Sequence, residues 1–231
     1  MLVRAPLCYS HVQMLRKLGS LSIALLLAPA AFAESVGKVE IENPWVRVLR
    51  VKAAPHQKIP MHEHPASVLV CLTDVHERTT GPDGKSQEVT RKAGEVAYRE
   101  PMKHAEENLS DQPLEVVVVE LKPGAPNAPP PPMTAPDPME ADPLHHSVPV
   151  ENDRVRVLRT VLEPHLRGPM HRHRSYVVVY LTDLHTTMKL ADGRTVDNPR
   201  KPGDVAFREA YQHQTENIGE KTAVEIQIEL K

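Results

Sequence analysis

This sequence of 231 residues has few aromatic residues and few cysteines, and its positive and negative charges nearly balance. Aromatic residues make up 3% of the chain, which argues against a pocket walled by aromatic rings. The formal net charge of −2 provides no basic field to hold nucleic acid. Proline and histidine are abundant, with 23 and 13 residues. A nucleic-acid-binding protein is therefore not expected, and the histidines are the first place to look for chemistry.

The N-terminus has the pattern of a secretory signal peptide. Arg16 and Lys17 precede a short apolar run at residues 18–30, and residues 31–33 have the small-x-small pattern that signal peptidase requires. The apolar run is too short for a stable membrane anchor. We therefore interpret residues 1–33 as a signal peptide, and expect a periplasmic or secreted bacterial protein with no membrane anchor after cleavage.

The start of the chain also affects the count of cysteines. The residues before Met14 add nothing to the signal, so Met14 is a candidate for the true start, which would leave Cys8 outside the protein. Cys71 is then the one cysteine of the mature chain. Because Cys71 lies in an apolar run, a buried and unreactive thiol is favoured over a catalytic one.

An internal repeat organises the rest of the sequence. Residues 42–122 align with residues 151–231 without a gap, and roughly 34 of the 81 aligned pairs are identical. Each copy is long enough to fold as a small domain. We predict an N-terminal domain at residues 34–122, a proline-rich linker at residues 123–143 and a C-terminal domain at residues 144–231.

Both copies have the residue pattern of β-strands. Val46 and Val48 alternate with other residues, as a half-buried strand requires. Asp83-Gly84 and Asp192-Gly193 are sequences typical of hairpin turns. Neither copy has a stretch with a convincing helical period, so we predict an all-β barrel or sandwich for each.

The repeat also suggests which face of one strand is buried. Val68 and Val70 are identical in the second copy, whereas Leu69 and Cys71 differ between the copies. We therefore expect the even-numbered residues of this strand to face the interior of the barrel.

Six histidines form the basis of the functional prediction. They are His62, His64 and His104 in the first copy and His171, His173 and His213 in the second. Two histidines in each copy are two residues apart on a predicted strand, so both side chains leave the same face. Neutral imidazoles that converge on one point commonly hold a divalent transition metal, and packing explains two such triads poorly. We therefore predict a three-histidine metal site in each copy.

These motifs resemble those of the cupin superfamily, specifically of bicupins, which have two tandem cupin domains. The first cupin motif contains the HxH pair, found here at residues 60–64 and 169–173. The second contains a glycine, a proline, a histidine and an asparagine, found here at residues 94–108 and 203–217 with glutamate, Glu100 or Glu209, at the proline position. The resemblance covers nearly all of both copies. It implies an all-β fold of two tandem jelly-roll barrels (double-stranded β-helices), each with a metal inside one mouth.

The sequence departs from the family pattern where the first motif has a metal-binding glutamate. The corresponding slots hold Val68 or Leu69 in the first copy and Val177 or Val178 in the second, and none of these can ligate. Three neutral ligands would leave the full positive charge on the metal and up to three open positions, which would favour an anionic substrate. No convincing general base replaces the glutamate.

Other charged and polar residues near the motifs have weaker interpretations. Glu106 alternates onto the His104 side of its strand, but Thr215 replaces it in the second copy. Arg99 and its counterpart Arg208 suit a surface ion pair better than a substrate carboxylate.

Further histidines and two asparagines are not expected to bind metal. His56 and His165 replace a family glycine, and a histidine tolerating positive φ is favoured there over a fourth ligand. His145 and His146 adjoin the linker and are expected to be solvated. Asn108 and Asn217 resemble the family asparagine and are expected to hydrogen-bond near the site rather than ligate.

These observations predict an exported metal-binding bicupin. A more specific hypothesis is a dioxygenase-like metalloenzyme that acts on a small organic molecule. The alternatives are a non-catalytic periplasmic protein that binds a metal or small ligand, and a structural barrel with vestigial sites. The metal is one of Fe, Mn, Ni, Cu or Zn, since cupins use several metals and all-nitrogen sites bind Cu and Zn most tightly. By analogy with cupins we also expect a homodimer, or pairing of the two barrels within one chain.

Overall fold

The computed structural model describes residues 37–124 and 133–231, which belong to one compact unit. The predicted signal peptide lies outside the described residues, as do residues 125–132 of the predicted linker. No helix within the described ranges has the length and apolar character needed to cross a bilayer.

The first copy of the repeat, residues 37–124, forms nine strands and is named barrel one. They are β1 Lys38–Glu42, β2 Val46–Ala53, β3 Lys58–His64, β4 Ser67–Cys71, β5 Val75–Thr80, β6 Ser86–Arg91, β7 Val96–Arg99, β8 Met102–Asn108 and β9 Leu114–Leu121. β1-β2-β9-β4-β7 form one antiparallel sheet and β3-β8-β5-β6 form the other.

A short helix, α1 (Pro138–Ala141), precedes the second copy, which is named barrel two and comprises residues 146–231. Its strands are β10 His146–Glu151, β11 Val155–Leu162, β12 His171–His173, β13 Tyr176–Tyr180, β14 Leu184–Leu190, β15 Thr195–Arg200, β16 Val205–Arg208, β17 Tyr211–Asn217 and β18 Ala223–Leu230. The sheets β10-β11-β18-β13-β16 and β12-β17-β14-β15 repeat the strand order of barrel one. The prediction of two all-β barrels is thus confirmed.

The predicted hairpin turns join the expected strands. Gly84 lies between β5 and β6 and Gly193 between β14 and β15, and both have positive φ, of 78° and 85°. A residue with a side chain rarely adopts this conformation, which explains glycine after each aspartate.

Among the residues that the structure describes, the buried apolar side chains form three clusters, of which the largest lies between the barrels. It joins Val46, Val68 and Val70 of barrel one to Val177 and Ile228 of barrel two, among others, and includes no residue of either four-stranded sheet. The five-stranded sheets therefore pack against each other through their outer faces, as in a sandwich of two sheets.

The expectation that Val68 and Val70 face the barrel interior is wrong. β4 is buried on both faces: Leu69 and Cys71 belong to the interior cluster of barrel one together with Ile59 of the opposite sheet. Val68 and Val70 are the same in both copies because they form a pseudo-symmetric contact. Cys71 is buried as expected, and burial raises the pKa of its thiol to about 11.

Polar and aromatic contacts reinforce the contact between the barrels. Arg159 of barrel two donates a hydrogen bond to the carbonyl of Gly94 across 3.1 Å. The equivalent Arg50 of barrel one donates to the carbonyl of Gly203. The rings of Trp45 and Phe207 stack with centroids 5.6 Å apart. The two halves of the chain thus interlock through equivalent residues.

Residues 133–145, here called the connecting segment, pack on barrel two beside β12 and β17. The carbonyl of Pro136 accepts a hydrogen bond from the backbone N–H of Arg172, across 3.0 Å. Asp137 caps α1 and accepts two hydrogen bonds from Arg156, at 3.0 and 2.7 Å. The second half of the predicted linker is therefore ordered against the edge of barrel two that carries its histidines.

Candidate metal centres

The structure brings the six predicted histidines together in two groups of three, one inside each barrel. His62, His64 and His104 form the first group and His171, His173 and His213 the second; within each, one ligand nitrogen per residue lies within 4.8 Å of the others. All are buried except His64, whose side chain is 9% exposed. The geometry of both sites is thus as the sequence predicted, and metal binding itself remains a prediction.

Strand pairing explains why the histidines converge. β3 pairs with β8 so that His62 lies opposite His104, and β12 pairs with β17 so that His171 lies opposite His213. The register of β3 shifts just before His62, a β-bulge that redirects the side chains following it. Two facing strands therefore deliver all three imidazoles of each site.

In barrel one, the free nitrogens have the spacing of metal ligands. Nδ1 of His62 donates to the carbonyl of Pro60 at 2.8 Å and Nδ1 of His64 to Glu120 at 2.6 Å, which leaves Nε2 of both rings to face inward. Nε2 of His62 and Nε2 of His104 are 3.0 Å apart. Two nitrogens bound at 2.0–2.1 Å to one ion lie about 3.0–3.4 Å apart, so this pair fits a shared metal.

In barrel two, Nδ1 of two histidines is again held by a hydrogen bond, and the nitrogens that would bind a metal have no partner. Nδ1 of His171 donates to the carbonyl of Pro169 at 3.0 Å, and Nδ1 of His173 to Glu229 at 2.8 Å. Nε2 of His173 and of His213 are buried without a hydrogen-bond partner. A buried polar atom without a partner is costly, and a metal ion would satisfy both of these.

Burial keeps several of these imidazoles neutral. It lowers the pKa of His104 to about 4 and that of His173 and His213 well below the usual value. A neutral imidazole keeps the lone pair that binds a metal, so the two sites are prepared for a cation at neutral pH.

Around its histidines, barrel one has a carboxylate network. Glu106 lies 3.6 Å from Nε2 of His104, as its strand parity predicted. Arg99 joins Glu106 to the buried Glu77 at 3.3 and 2.9 Å. The expectation that Arg99 forms a surface ion pair is therefore wrong, because its side chain is 17% exposed and pairs with carboxylates beside the site.

Barrel two has a different polar wall, which sequence reasoning missed. The side chains of Thr160, Glu225 and Gln227 face a buried cavity together with His171 and His213. The corresponding residues of barrel one are Val51, Val116 and Val118. Burial raises the pKa of Glu225 to about 7, so this carboxyl group can exchange a proton near neutral pH. The sequence did contain a signal for this wall. Polar and apolar residues alternate at residues 225–229, whereas the corresponding residues of the first copy are mostly valines.

The tyrosines are also concentrated in barrel two. The hydroxyls of Tyr176 and Tyr211 are 2.9 Å apart, and their rings stack with centroids at 6.2 Å. Tyr211 contacts His213 and Tyr176 contacts His173, with centroids at 4.6 and 5.0 Å. The low aromatic content of the whole chain therefore conceals an aromatic wall in one half.

His146, which was expected to be solvated, is buried in the same cavity. Its ring centroid is 5.4 Å from that of His171, and its Nδ1 hydrogen-bonds to the carbonyl of Asp142 at 2.9 Å. The sequence could not place it, because the repeat has only Gly37 at the equivalent position.

The remaining expectations concern residues outside the two groups. His56 and His165 have positive φ, of 56° and 61°, and their exposed rings pair with Asp111 and Glu220, so neither is a fourth ligand. Arg208 is half-buried, with Asn198 as a partner at 3.4 Å. Asn108 and Asn217 are buried and donate to backbone carbonyls, and neither belongs to the histidine groups.

Comparison with known proteins identifies the fold. AerE from Microcystis aeruginosa has a TM-score of 0.59 at 14% identity, covering 85% of this chain and 97% of that chain. A variant of oxalate decarboxylase from Bacillus subtilis has a TM-score of 0.56 at 14% identity, covering 80% and 68%. A variant of salicylate 1,2-dioxygenase from Pseudoaminobacter salicylatoxidans has a TM-score of 0.54 at 12% identity, covering 80% and 70%.

At these identities the likeness shows the fold alone. No protein-family model and no curated protein sequence matches the chain. The described residues nevertheless have the fold of the bicupins, two tandem cupin barrels, as the motifs implied.

Proposed function

We propose that the protein is an exported bicupin that binds one divalent transition-metal ion in each barrel through three histidines. The supporting observation is the convergence of His62, His64 and His104, and of their three counterparts in barrel two, with free nitrogens facing inward. Carbonyl and carboxylate groups hold the opposite nitrogens, an arrangement typical of metal-ligating histidines. Oxalate decarboxylase, one of the structures similar to this chain, has Mn(II) centres.

Metal analysis of the purified mature protein tests this proposal. We expect about two equivalents of a divalent transition metal, because each barrel has its own complete triad. His104→Ala and His213→Ala should each leave one equivalent, and the double variant none. Wild-type protein that takes up no metal after incubation with Fe, Mn, Ni, Cu or Zn would refute the proposal.

Export is a separate part of the proposal, supported by the sequence of residues 1–33. Expression of the full chain in a Gram-negative host, followed by fractionation, should give periplasmic protein with Glu34 at its N-terminus. Cytoplasmic protein that retains residues 14–33 would contradict export without affecting metal binding.

A sharper proposal is a dioxygenase-like metalloenzyme acting on a small organic molecule in barrel two. When bound, the metal would supply Lewis-acid or dioxygen chemistry. Glu225 favours this function, because its carboxyl group lies in the cavity beside His171 and His213. Glu225 would accept or return a proton of the substrate, while Gln227 holds its carboxylate through a hydrogen bond of 2.6 Å. Barrel one, with Val116 at that position, would bind metal without this proton carrier.

Oxygen uptake by the metal-loaded protein with a panel of thiols, diketones and dihydroxy-aromatic compounds tests for this activity. Turnover should disappear in His213→Ala and fall about 100-fold or more in Glu225→Gln, the range for losing a general base. His104→Ala, which affects barrel one, should keep most of the activity. Absence of turnover with every metal and compound would favour a non-catalytic binding protein.

A further inference from the structure

The buried cavity of barrel two has features that metal binding alone does not require. It is lined by Asp142, His146, Thr160, Thr215, Glu225 and Gln227 in addition to two of the metal-site histidines. Only about 10 Å³ of it is open to the centre of a water-sized sphere, which is room for about one water molecule. The cavity therefore holds one small group, such as a water molecule or the terminal group of a larger molecule bound at the metal.

His146 lines this cavity and has a nitrogen without a partner. Its side chain is 6% exposed, and its Nε2 is buried without a hydrogen-bond partner. A carbonyl oxygen can only accept, so the contact with Asp142 places the ring proton on Nδ1. Nε2 therefore offers a lone pair to the cavity.

The charges lining the cavity point to the same kind of occupant. Asp142 and Glu225 are acidic, and neither lysine nor arginine lines the cavity. Gln227 uses one of its two N–H groups to donate to Glu225 at 2.6 Å, and its amide oxygen accepts from Thr160 at 3.4 Å. An anion would meet two carboxyl groups in the lining, with Arg200 and Arg208 acting on Glu225 only from outside it, whereas a ligand that donates hydrogen bonds would find acceptors.

We propose that this cavity is a subsite for a small neutral ligand that donates hydrogen bonds, and that Nε2 of His146 accepts one of them. Water, or a hydroxyl or amino group of similar size, has the required chemistry. The subsite rests on the proposed function, because the ligand lies beside the metal held by His171 and His213. For barrel two, this proposal replaces the expectation from the sequence that the site favours an anionic substrate.

Barrel one provides an internal comparison. Gly37 occupies the position equivalent to His146, and valines occupy those equivalent to Thr160, Glu225 and Gln227. The metal site of barrel one should therefore show no preference for a ligand that donates hydrogen bonds.

The test uses the full mature chain loaded with Co²⁺, whose visible spectrum reports ligands bound at the metal. His62→Ala with His104→Ala leaves only the site in barrel two. Hydroxylamine is the neutral donor probe and azide the anionic probe that carries no proton. We expect His146→Leu to lower the ratio of hydroxylamine to azide affinity by about three- to tenfold, as for one lost hydrogen bond.

Two variants separate this effect from general damage. His146→Gln keeps an acceptor and should retain most of the preference. His145→Gln alters the neighbouring histidine, which also contacts Asp142 but does not line the cavity, and should leave the ratio unchanged. Circular dichroism would reveal whether His146→Leu prevents folding. If it does, His146→Ala takes its place.

The possible outcomes distinguish the subsite from the metal site. An unchanged ratio in folded, cobalt-loaded His146→Leu and His146→Ala would overturn the subsite and leave the metal site intact. Failure of barrel two to bind Co²⁺ at all would overturn the proposed function, and the subsite with it. The reciprocal protein, with His171→Ala and His213→Ala, should show no dependence on His146.

Discussion

Glu229 accepts a hydrogen bond from Nδ1 of His173 across 2.8 Å, and both side chains are wholly buried. The other carboxylate oxygen pairs with Arg156 at 2.6 Å, and Arg156 in turn pairs with Asp137 of the connecting segment. A chain of charged groups therefore runs from the segment between the barrels to a candidate metal ligand. Barrel one has the same pair in Glu120 and His64.

The first prediction concerns this carboxylate. Glu229→Gln should weaken metal binding at barrel two by about 10- to 100-fold, because the carboxylate orients the imidazole of His173 and raises its basicity. Competition with a chromophoric chelator measures the affinity of each site. Glu120→Gln is the matched control and should weaken barrel one only. Equal weakening of both sites by either variant would contradict the assignment.

The second prediction is that the metal-free protein loses stability as the pH falls from about 6.5 to about 4. Burial lowers the pKa of His104 to about 4 and also lowers that of His146, His171, His173 and His213. The unfolded chain therefore binds more protons than the folded chain in this window, so the free energy of unfolding falls as the pH decreases. His104 alone accounts for about 3 kcal/mol at most.

Urea denaturation of the metal-free protein at several pH values measures this dependence. Metal-loaded protein should retain stability to lower pH until the ligands protonate and release the ion. Constant stability between pH 6.5 and 4 in metal-free Glu225→Gln protein, which lacks the opposing titration of Glu225, would contradict the lowered pKa values of these histidines.

The third prediction has the opposite sign and concerns Glu225. Burial raises its pKa to about 7 in the folded state, so its contribution to stability falls as the pH rises from about 4.5 through 7. Glu225→Gln removes the ionisable group and should stabilise the protein by roughly 1–3 kcal/mol at pH 8, with little effect at pH 4.5. Glu216→Gln, on the outer side of β17, is the control. Equal effects of Glu225→Gln at both pH values would exclude a raised pKa.

The fourth prediction uses Trp45, the one tryptophan of the chain, as a reporter of the contact between the barrels. Phe207→Ala removes the ring stacked on it and should shift its fluorescence to longer wavelength and lower the free energy of unfolding by about 2 kcal/mol. Tyr98→Ala changes the equivalent residue of barrel one and should leave the emission nearer to that of the wild type. Emission unaffected by Phe207→Ala would place Trp45 away from barrel two.

The sequence predicts the metal-site geometry well because it depends on local rules. Two histidines separated by one residue on a strand share a face, and the repeat supplies a second, independent instance of the same spacing. Pairing of His62 with His104 across β3 and β8 then follows from the fold implied by the motifs.

The orientation of Val68 and the burial of His146 could not be predicted in the same way. β4 is buried on both faces, so alternation does not distinguish the barrel interior from the contact with the other barrel. His146 is buried and hydrogen-bonds to Asp142 of the connecting segment, which has no counterpart in the repeat. Glu225 was visible as a polar residue aligned with Val116, but only the structure shows that it faces the histidines.

The packing of the two five-stranded sheets has one more consequence. In a dimer of identical subunits, any substitution in one site appears in the other as well. Here both partners of the pair are encoded in one polypeptide, so the valines of barrel one and the acid and amide of barrel two can coexist around equivalent histidines. Covalent fusion of the halves thus permits two pockets of different chemistry to be kept at a fixed stoichiometry of one to one.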